Sequence, residues 1–376
     1  MKATRTLRGL VAGAVVFGAV VFGAVVFGAV VFGAVASVQP AMSRADTGTV
    51  LRFPASDSNI GVSTLELVDH DRDDPWTPGR ARSIPVTVTY PAGFAAGGTR
   101  SLPVILFSPG FYVPRTLYTV AAEDLASRGY VVISMDHTGE ALATVFPDGR
   151  VVTAQITDPY SADTQKKALD TRVEDARFVI DTVESLSRGD DPDGIGRLLP
   201  DGLPGAVDPD RIGMFGHSIG GATTTQVLLD DPRVDAGVNV DGALLYANTA
   251  SPIVSQDPGT PLLSVLNSRH AASPEGRERF WGQYFATPRS WSKVYALRDT
   301  GHFSFTDAEH YVPQAIPDPP GMDVPAGFSL GTAPRQEVVD TTNDLVAGMF
   351  DRFLKEAPAP ELDDAASRYP LVFEVR

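Results

Sequence analysis

Residues 210–222 read Asp210-Arg-Ile-Gly-Met-Phe-Gly-His-Ser-Ile-Gly-Gly-Ala222, and Gly216-His217-Ser218-Ile219-Gly220 sets one serine between glycines. A short apolar run precedes the serine and a helix-forming run follows it. The chain must reverse sharply at Ser218, and glycines on either side allow close backbone approach without a Cβ clash. A strand, a tight turn and a helix in that order lift a hydroxyl onto the rim of a parallel sheet and aim a helix N-terminus at it. The reading is a nucleophile elbow, with Ser218 as the nucleophile. The five-residue pattern is weak alone and gains its weight from this setting.

Outward from the elbow, short continuous apolar runs at Val104–Phe107, Tyr130–Met135 and Ile212–Phe215 have the texture of strands buried on both faces. Further strands are expected at about Ala236–Val240, Pro261–Leu266 and Lys293–Leu297. Between and after them come helical stretches at Leu117–Ser127, Lys167–Leu186, Ile219–Leu229 and Glu337–Leu354. Val173, Ala176, Val179, Ile180, Val183 and Leu186 form the apolar face of the second. This alternation predicts a mostly parallel sheet covered by helices on both faces. Upstream, Val62–Val68 and Ile84–Tyr90 alternate apolar and polar residues and read as peripheral antiparallel strands, with Asp69–Arg82 a loop between them. Val50–Phe53 is a further pairing candidate. No linker splits the body, so 46–376 reads as a single domain, with 268–290 either a cap or a surface connection.

Residues 1–45 stand apart. Lys2, Arg5 and Arg8 precede an apolar run from Leu10 to Val38, and Ser43-Arg44-Ala45 offers small residues around a cleavage point. That is a secretory signal layout. The run repeats Val-Phe-Gly-Ala-Val from positions 16, 21, 26 and 31 and is long enough to span a bilayer. An uncleaved anchor at 10–38 on the outer face of the cytoplasmic membrane is therefore the alternative. The full chain carries a net charge of −15; removing 1–45 takes four basic residues and no acid, giving −19. Such a charge disfavours nucleic acid and anionic membrane surfaces as partners. Membrane contact is expected only through a lipid substrate or the anchor. The absence of cysteine excludes disulfides, thiolate metal sites and a cysteine nucleophile.

A serine nucleophile needs a base, and the base needs an acid to fix its tautomer. In open parallel sheets such groups collect at the carboxyl ends of strands. His302, in Arg298-Asp-Thr-Gly-His-Phe-Ser-Phe-Thr-Asp307, follows the final predicted strand and is the expected base. His217 reads as support beside the nucleophile, and His137 as a pocket-lining candidate. His70, His270 and His310 read as solvated loop residues. The customary acid position follows Pro261–Leu266, but no carboxylate occurs there before Glu275. One strand earlier, Val-Asn-Val-Asp241-Gly242 ends in a carboxylate, so Asp241 is preferred, with Asp299 and Asp307 as competitors. The oxyanion needs two backbone N–H donors: Ile219, after the nucleophile, and Phe111 in Ser108-Pro-Gly-Phe111. Phe111, Tyr112, Phe303 and Phe305 are candidates for an apolar acyl pocket. No metal-ligand spacing, phosphate loop or cofactor fingerprint appears, and the acidic clusters at 69–74 and 190–193 read as solvated.

This ordered set resembles the secreted platelet-activating factor acetylhydrolase group of α/β-hydrolases and its bacterial relatives. The resemblance runs over about 60–310. It rests on Asp73-Asp-Pro-Trp76, Arg82-Ser-Ile-Pro-Val-Thr-Val-Thr-Tyr-Pro91, Phe107-Ser-Pro-Gly-Phe111, Gly216-His-Ser-Ile-Gly-Gly221, Val240-Asp-Gly242 and Gly301-His-Phe-Ser-Phe-Thr-Asp307. It implies an α/β-hydrolase fold, a catalytic set of Ser218, Asp241 and His302, and oxyanion donors at Phe111 and Ile219. Pro109 departs from the family, whose members often carry histidine there, and this bears on pocket shape. The resemblance also implies calcium-independent cleavage of short or oxidised acyl chains from phospholipids; because its bacterial members are mostly known only as esterases or lipases, that preference transfers weakly. The expectation is a secreted serine ester hydrolase acting on a small ester or lipid, without cofactor or metal. The alternatives are a lipase or cutinase-like polyester hydrolase and, from another class, a non-catalytic binding module.

Overall fold

Alternate residues of the inner strands face two different helical layers, which is what the continuous apolar runs encode. The computed structural model describes residues 59–92, 102–159, 161–196, 199–246, 249–272, 281–315 and 330–375. In it Ile105 and Phe107 join one core with Leu125, Val346 and Phe350, while Val104 and Leu106 join the other with Val179, Ile180 and Val227. The leader and anchor readings of 1–45, and the pairing at Val50–Phe53, lie outside the described residues.

Among the described residues one sheet holds β1 (Ile60–Asp73), β2 (Ala81–Pro91), β3 (Leu102–Ser108), β4 (Val131–Met135), β5 (Val207–His217), β6 (Val234–Val240), β7 (Leu262–Asn267), β8 (Ser292–Leu297) and β9 (Val372–Glu374). Their order is β1-β2-β4-β3-β5-β6-β7-β8-β9. The inner pairs from β4 through β8 are parallel, while β1 with β2, β2 with β4 and β8 with β9 are antiparallel. Four longer helices cover the sheet: α1 (Thr119–Ser127), α2 (Ala162–Ser187), α3 (Ile219–Asp230) and α4 (Arg335–Leu354). α1 and α4 supply one core and the apolar stripe of α2 the other. No helix among the described residues is long and apolar enough to cross a membrane.

Four features depart from the sequence reading. β1 continues through Asp73 with a register shift between Asp69 and Asp73, so the connection to β2 is a short turn rather than a loop over 69–82. The acidic cluster there is not wholly solvated: Asp74 is buried, accepts the N–H groups of Trp76 and Thr77, and pairs with the buried Arg82 at 2.9 Å. α2 begins five residues before Lys167, because Ser161 caps it by accepting the Thr164 N–H at 3.1 Å. β9, at three residues, is too short to show a period.

Candidate active site

β5 ends at His217 and α3 begins at Ile219, leaving Ser218 alone in the turn with φ 59° and ψ −123°. That left-handed backbone is strained for a residue with a Cβ. The flanking glycines show why it is tolerated. A Cβ on Gly216 would fall 2.3 Å from the Gly220 carbonyl, and one on Gly220 would fall 2.0 Å from the Ser108 carbonyl oxygen. The elbow is thus pressed onto the end of β3, and Ser218 is left half-buried at the rim.

The structure brings Ser218, His302 and Asp241 together. Ser218 Oγ lies 2.9 Å from His302 Nε2, and His302 Nδ1 lies 2.5 Å from Asp241 Oδ2. A carboxylate only accepts, so Nδ1 carries the imidazole proton and Nε2 presents a lone pair to the serine hydroxyl. Asp241 sits just beyond β6 with φ 52° and is buried. Burial opposes its charge, but hydrogen bonds from His270 and His302 outweigh it and hold the carboxyl well below the usual carboxylate range.

The customary acid position, at the end of β7, is occupied by Asn267. Its backbone N–H donates to Asp241 Oδ1 at 2.9 Å and its side-chain amide to Oδ2 at 2.5 Å. His270, expected to be a solvated loop residue, instead stands in the short helix Ser268–Ala272 with Nδ1 3.0 Å from Asp241 Oδ1. The competing acids do not meet His302, whose Nδ1 is taken by Asp241. Asp307 accepts the N–H groups of Thr119 and Val120 at the start of α1, and Asp299 is exposed, its backbone carbonyl accepting the N–H groups of Thr332 and Ala333.

His217 is buried and spends both ring nitrogens on scaffolding. Nε2 lies 2.8 Å from the His302 carbonyl oxygen, and Nδ1 lies 2.9 Å from the Tyr118 hydroxyl. The carbonyl must accept, so Nε2 is protonated and Tyr118 donates to Nδ1. Tyr118 in turn accepts the Gly110 N–H at 3.1 Å. Burial, and then the neighbouring His302, push the His217 imidazole down to about 3. The candidate donor loop, the elbow and the base loop are therefore tied by one hydrogen-bonded chain. Ile219 is the first residue of α3 and Phe111 follows Gly110 in the loop, with a Cβ on Gly110 falling 3.3 Å from His217 Nδ1.

His137, a pocket candidate in sequence, is buried beneath the loop. Its Nδ1 is 2.9 Å from Asp175 Oδ2 and its Nε2 is 2.9 Å from Ser108 Oγ. Asp175 also receives Arg82 and Arg72. Burial and the charge of Arg172 push the His137 imidazole down to about 3, against the pull of Asp175. Arg172, on the same helix as Asp175, pairs with Glu140 at 2.6 Å and donates to the Pro109 carbonyl at 2.6 Å and the Gly110 carbonyl at 3.3 Å. Sequence reasoning missed both charges. Their signal was present: 172 and 175 fall in register with buried Ala168, Leu169, Ala176 and Val179.

Phe111, Tyr112 and Phe303 are buried in one core cluster, and Phe305 packs against it partly buried. His217, Asp241 and His302 place ligand-type atoms within 4.8 Å of one another, as a metal site would. Their donor atoms already meet hydrogen-bond partners, and His302 Nε2 faces Ser218. The arrangement is that of a proton relay to a serine hydroxyl.

Comparison with known proteins gives a consistent picture. Residues 82–318 match the model of a family described as platelet-activating factor acetylhydrolase, isoform II. The chain is 27% identical over 270 residues to a probable 1-alkyl-2-acetylglycerophosphocholine esterase of Arthroderma benhamiae, covering 69% of this chain and 63% of that protein. It is 28% identical over 250 residues to the platelet-activating factor acetylhydrolase of Canis lupus familiaris, covering 62% of this chain and 55% of that protein. The chain thus spans less than two thirds of the length of these curated relatives. Among solved structures, a ferulic acid esterase from Streptomyces cinnamoneus superposes with a TM-score of 0.69 at 30% identity, covering 88% of this chain and all of that one. The mostly parallel sheet between helical layers is the α/β-hydrolase fold.

Proposed function

Because the chain belongs to the platelet-activating factor acetylhydrolase isoform II family, we propose that it hydrolyses carboxylic esters through a serine acyl-enzyme. The observation that carries this reading is the continuous path from Ser218 Oγ through His302 to Asp241, at 2.9 and 2.5 Å. Ser218 Oγ attacks the ester carbonyl carbon while His302 Nε2 takes its proton. Asp241 holds the resulting imidazolium, and the Ile219 and Phe111 N–H groups receive the developing oxyanion. Collapse of the tetrahedral intermediate breaks the carbon–oxygen bond, and His302 returns the proton to the leaving alcohol. Water then attacks the acyl-enzyme, its proton passes to His302, and the carboxylic acid leaves with Ser218 restored.

The acyl group is read as short. The relatives' names specify an acetyl ester of an alkylglycerophosphocholine and an ester of ferulic acid. An acetyl group is far smaller than a fatty acyl chain, and ferulic acid is a compact aromatic acid with no long alkyl chain; these names support a small acid. Residues 1–45 are read as an export leader, with an anchor at 10–38 as the alternative, and 46–376 as one catalytic domain. No metal, cofactor or nucleic acid enters this reading.

A panel of p-nitrophenyl esters from acetate to palmitate, with a 2-acetyl glycerophosphocholine, methyl ferulate and a polyester film, tests it. Highest kcat/KM among two- to four-carbon acids supports the short-chain reading. An optimum at long chains or on film moves the protein to the lipase or polyester class. No turnover of any ester leaves the non-catalytic binding module.

A further inference from the structure

The peptide between Gly110 and Phe111 is gripped at its carbonyl end by a buried cation. Arg172 is 1% exposed and reaches over from α2. Its Nη1 donates to the Pro109 carbonyl at 2.6 Å and contacts Ser108 Oγ at 3.3 Å, and its Nη2 donates to the Gly110 carbonyl at 3.3 Å. Glu140, itself fully buried, holds Nε at 2.6 Å and fixes the plane of the fork. A trans peptide points its C=O and N–H in opposite directions. The preceding peptide shows both ends: Arg172 takes the Pro109 carbonyl while the Gly110 N–H donates to Tyr118. In the next one, Arg172 and the Val113 N–H take the Gly110 carbonyl, so the Phe111 N–H is directed away from α2. A charge-assisted bond at a carbonyl also withdraws electron density from the amide it belongs to and makes its N–H a stronger donor.

Beneath the fork lies a second serine–histidine–aspartate chain. Asp175 receives His137 Nδ1 and so leaves Nε2 to accept the Ser108 hydroxyl at 2.9 Å. Ser108, His137 and Asp175 are each no more than 1% exposed, so no substrate reaches that hydroxyl. Its chemistry is that of an anchor: Ser108 is the last residue of β3, and its side chain is held from below while Arg172 holds the two carbonyls after it.

We propose that Arg172 is a positioning residue of the oxyanion hole, acting through the Gly110–Phe111 peptide, with Ser108–His137–Asp175 anchoring the base of that loop. This rests on the assignment of Phe111 N–H as an oxyanion donor. Lysine keeps the charge opposite Glu140 but cannot fork across two consecutive carbonyls. In Arg172→Lys, kcat on p-nitrophenyl acetate should fall roughly 10- to 100-fold, short of the loss from deleting a donor outright, with KM changed less than about threefold. Affinity for an alkyl trifluoromethyl ketone, which forms an oxyanion on the serine, should fall in parallel. Binding of the corresponding alkyl alcohol, which forms none, should hold. Ser108→Ala should show the same pattern more weakly, a fall of about three- to tenfold, and serves if the lysine variant does not fold. A kcat loss with trifluoromethyl ketone affinity intact, or no kcat loss, overturns the proposal. Failure of the wild-type protein to bind the ketone at Ser218 would overturn the serine mechanism itself, and the two failures are separable.

Discussion

His217 Nε2 donates to the carbonyl oxygen of His302 across 2.8 Å, so the residue beside Ser218 holds the backbone of the histidine that faces the serine hydroxyl. Through Tyr118 the same imidazole reaches the Gly110 N–H. Three loops at the carboxyl ends of β3, β5 and β8 therefore share one buried polar chain, and disturbing any member should be felt at the others.

Tyr118→Phe tests that chain with little change of shape. It leaves His217 Nδ1 and the Gly110 N–H without a buried partner, a loss of about 1–3 kcal/mol. Urea unfolding should show that loss, and esterase kcat should fall by about tenfold. A neutral result in both would mean that the chain does not couple the loops.

The acid assignment predicts an asymmetry among aspartates. Asp241→Asn removes the acceptor that fixes the His302 tautomer, and turnover should fall about 10³- to 10⁴-fold. Asp307→Asn weakens the cap of α1, costing about 1 kcal/mol, and should leave turnover within a fewfold of wild type. The reverse order in steady-state assays would move the acid to Asp307.

The strained turn predicts a trade of stability against activity. Ser218 holds φ 59°, which glycine adopts without strain. Ser218→Gly should raise stability by about 1 kcal/mol while abolishing turnover. Thermal unfolding of the two proteins side by side reads it; a lower Tm in the glycine variant would mean that the serine backbone is not strained.

Buried neutral histidine predicts acid sensitivity. His217 has an ordinary value of 6.5 that is lowered to about 3 in the fold, so between those values the unfolded chain binds the extra proton. Its contribution is complete above pH 6.5 and is lost as pH falls toward 3, at up to about 1.4 kcal/mol per pH unit. In urea titrations between pH 6.5 and 5, wild-type stability should drop more steeply than that of His217→Gln by close to one proton. Equal slopes would place a protonated imidazole in the native protein.

The fold was legible in its alternating apolar runs, and the three residues that it brings together could be singled out because each lies near a strand end marked by glycine. Ser218 stands between Gly216 and Gly220, Asp241 before Gly242, and His302 after Gly301. The supporting residues carry no such local mark. Asn267 and His270 matter only because β7 lies beside β6, which places them on an aspartate 26 and 29 residues earlier. Arg172 and Asp175 were hidden in a helix read for its apolar face, although charges in register with that face are themselves a sign of a buried network. Long-range pairing, rather than composition, decides which polar residues are drawn inside.

Mass spectrometry of the protein after reaction with a fluorophosphonate tests the central assignment most directly. A single adduct is expected on the peptide carrying Ser218, with complete loss of ester hydrolysis when it forms and slowing of its formation by several orders of magnitude in His302→Ala. An adduct on another residue, or full esterase activity in the Ser218-labelled protein, would contradict it.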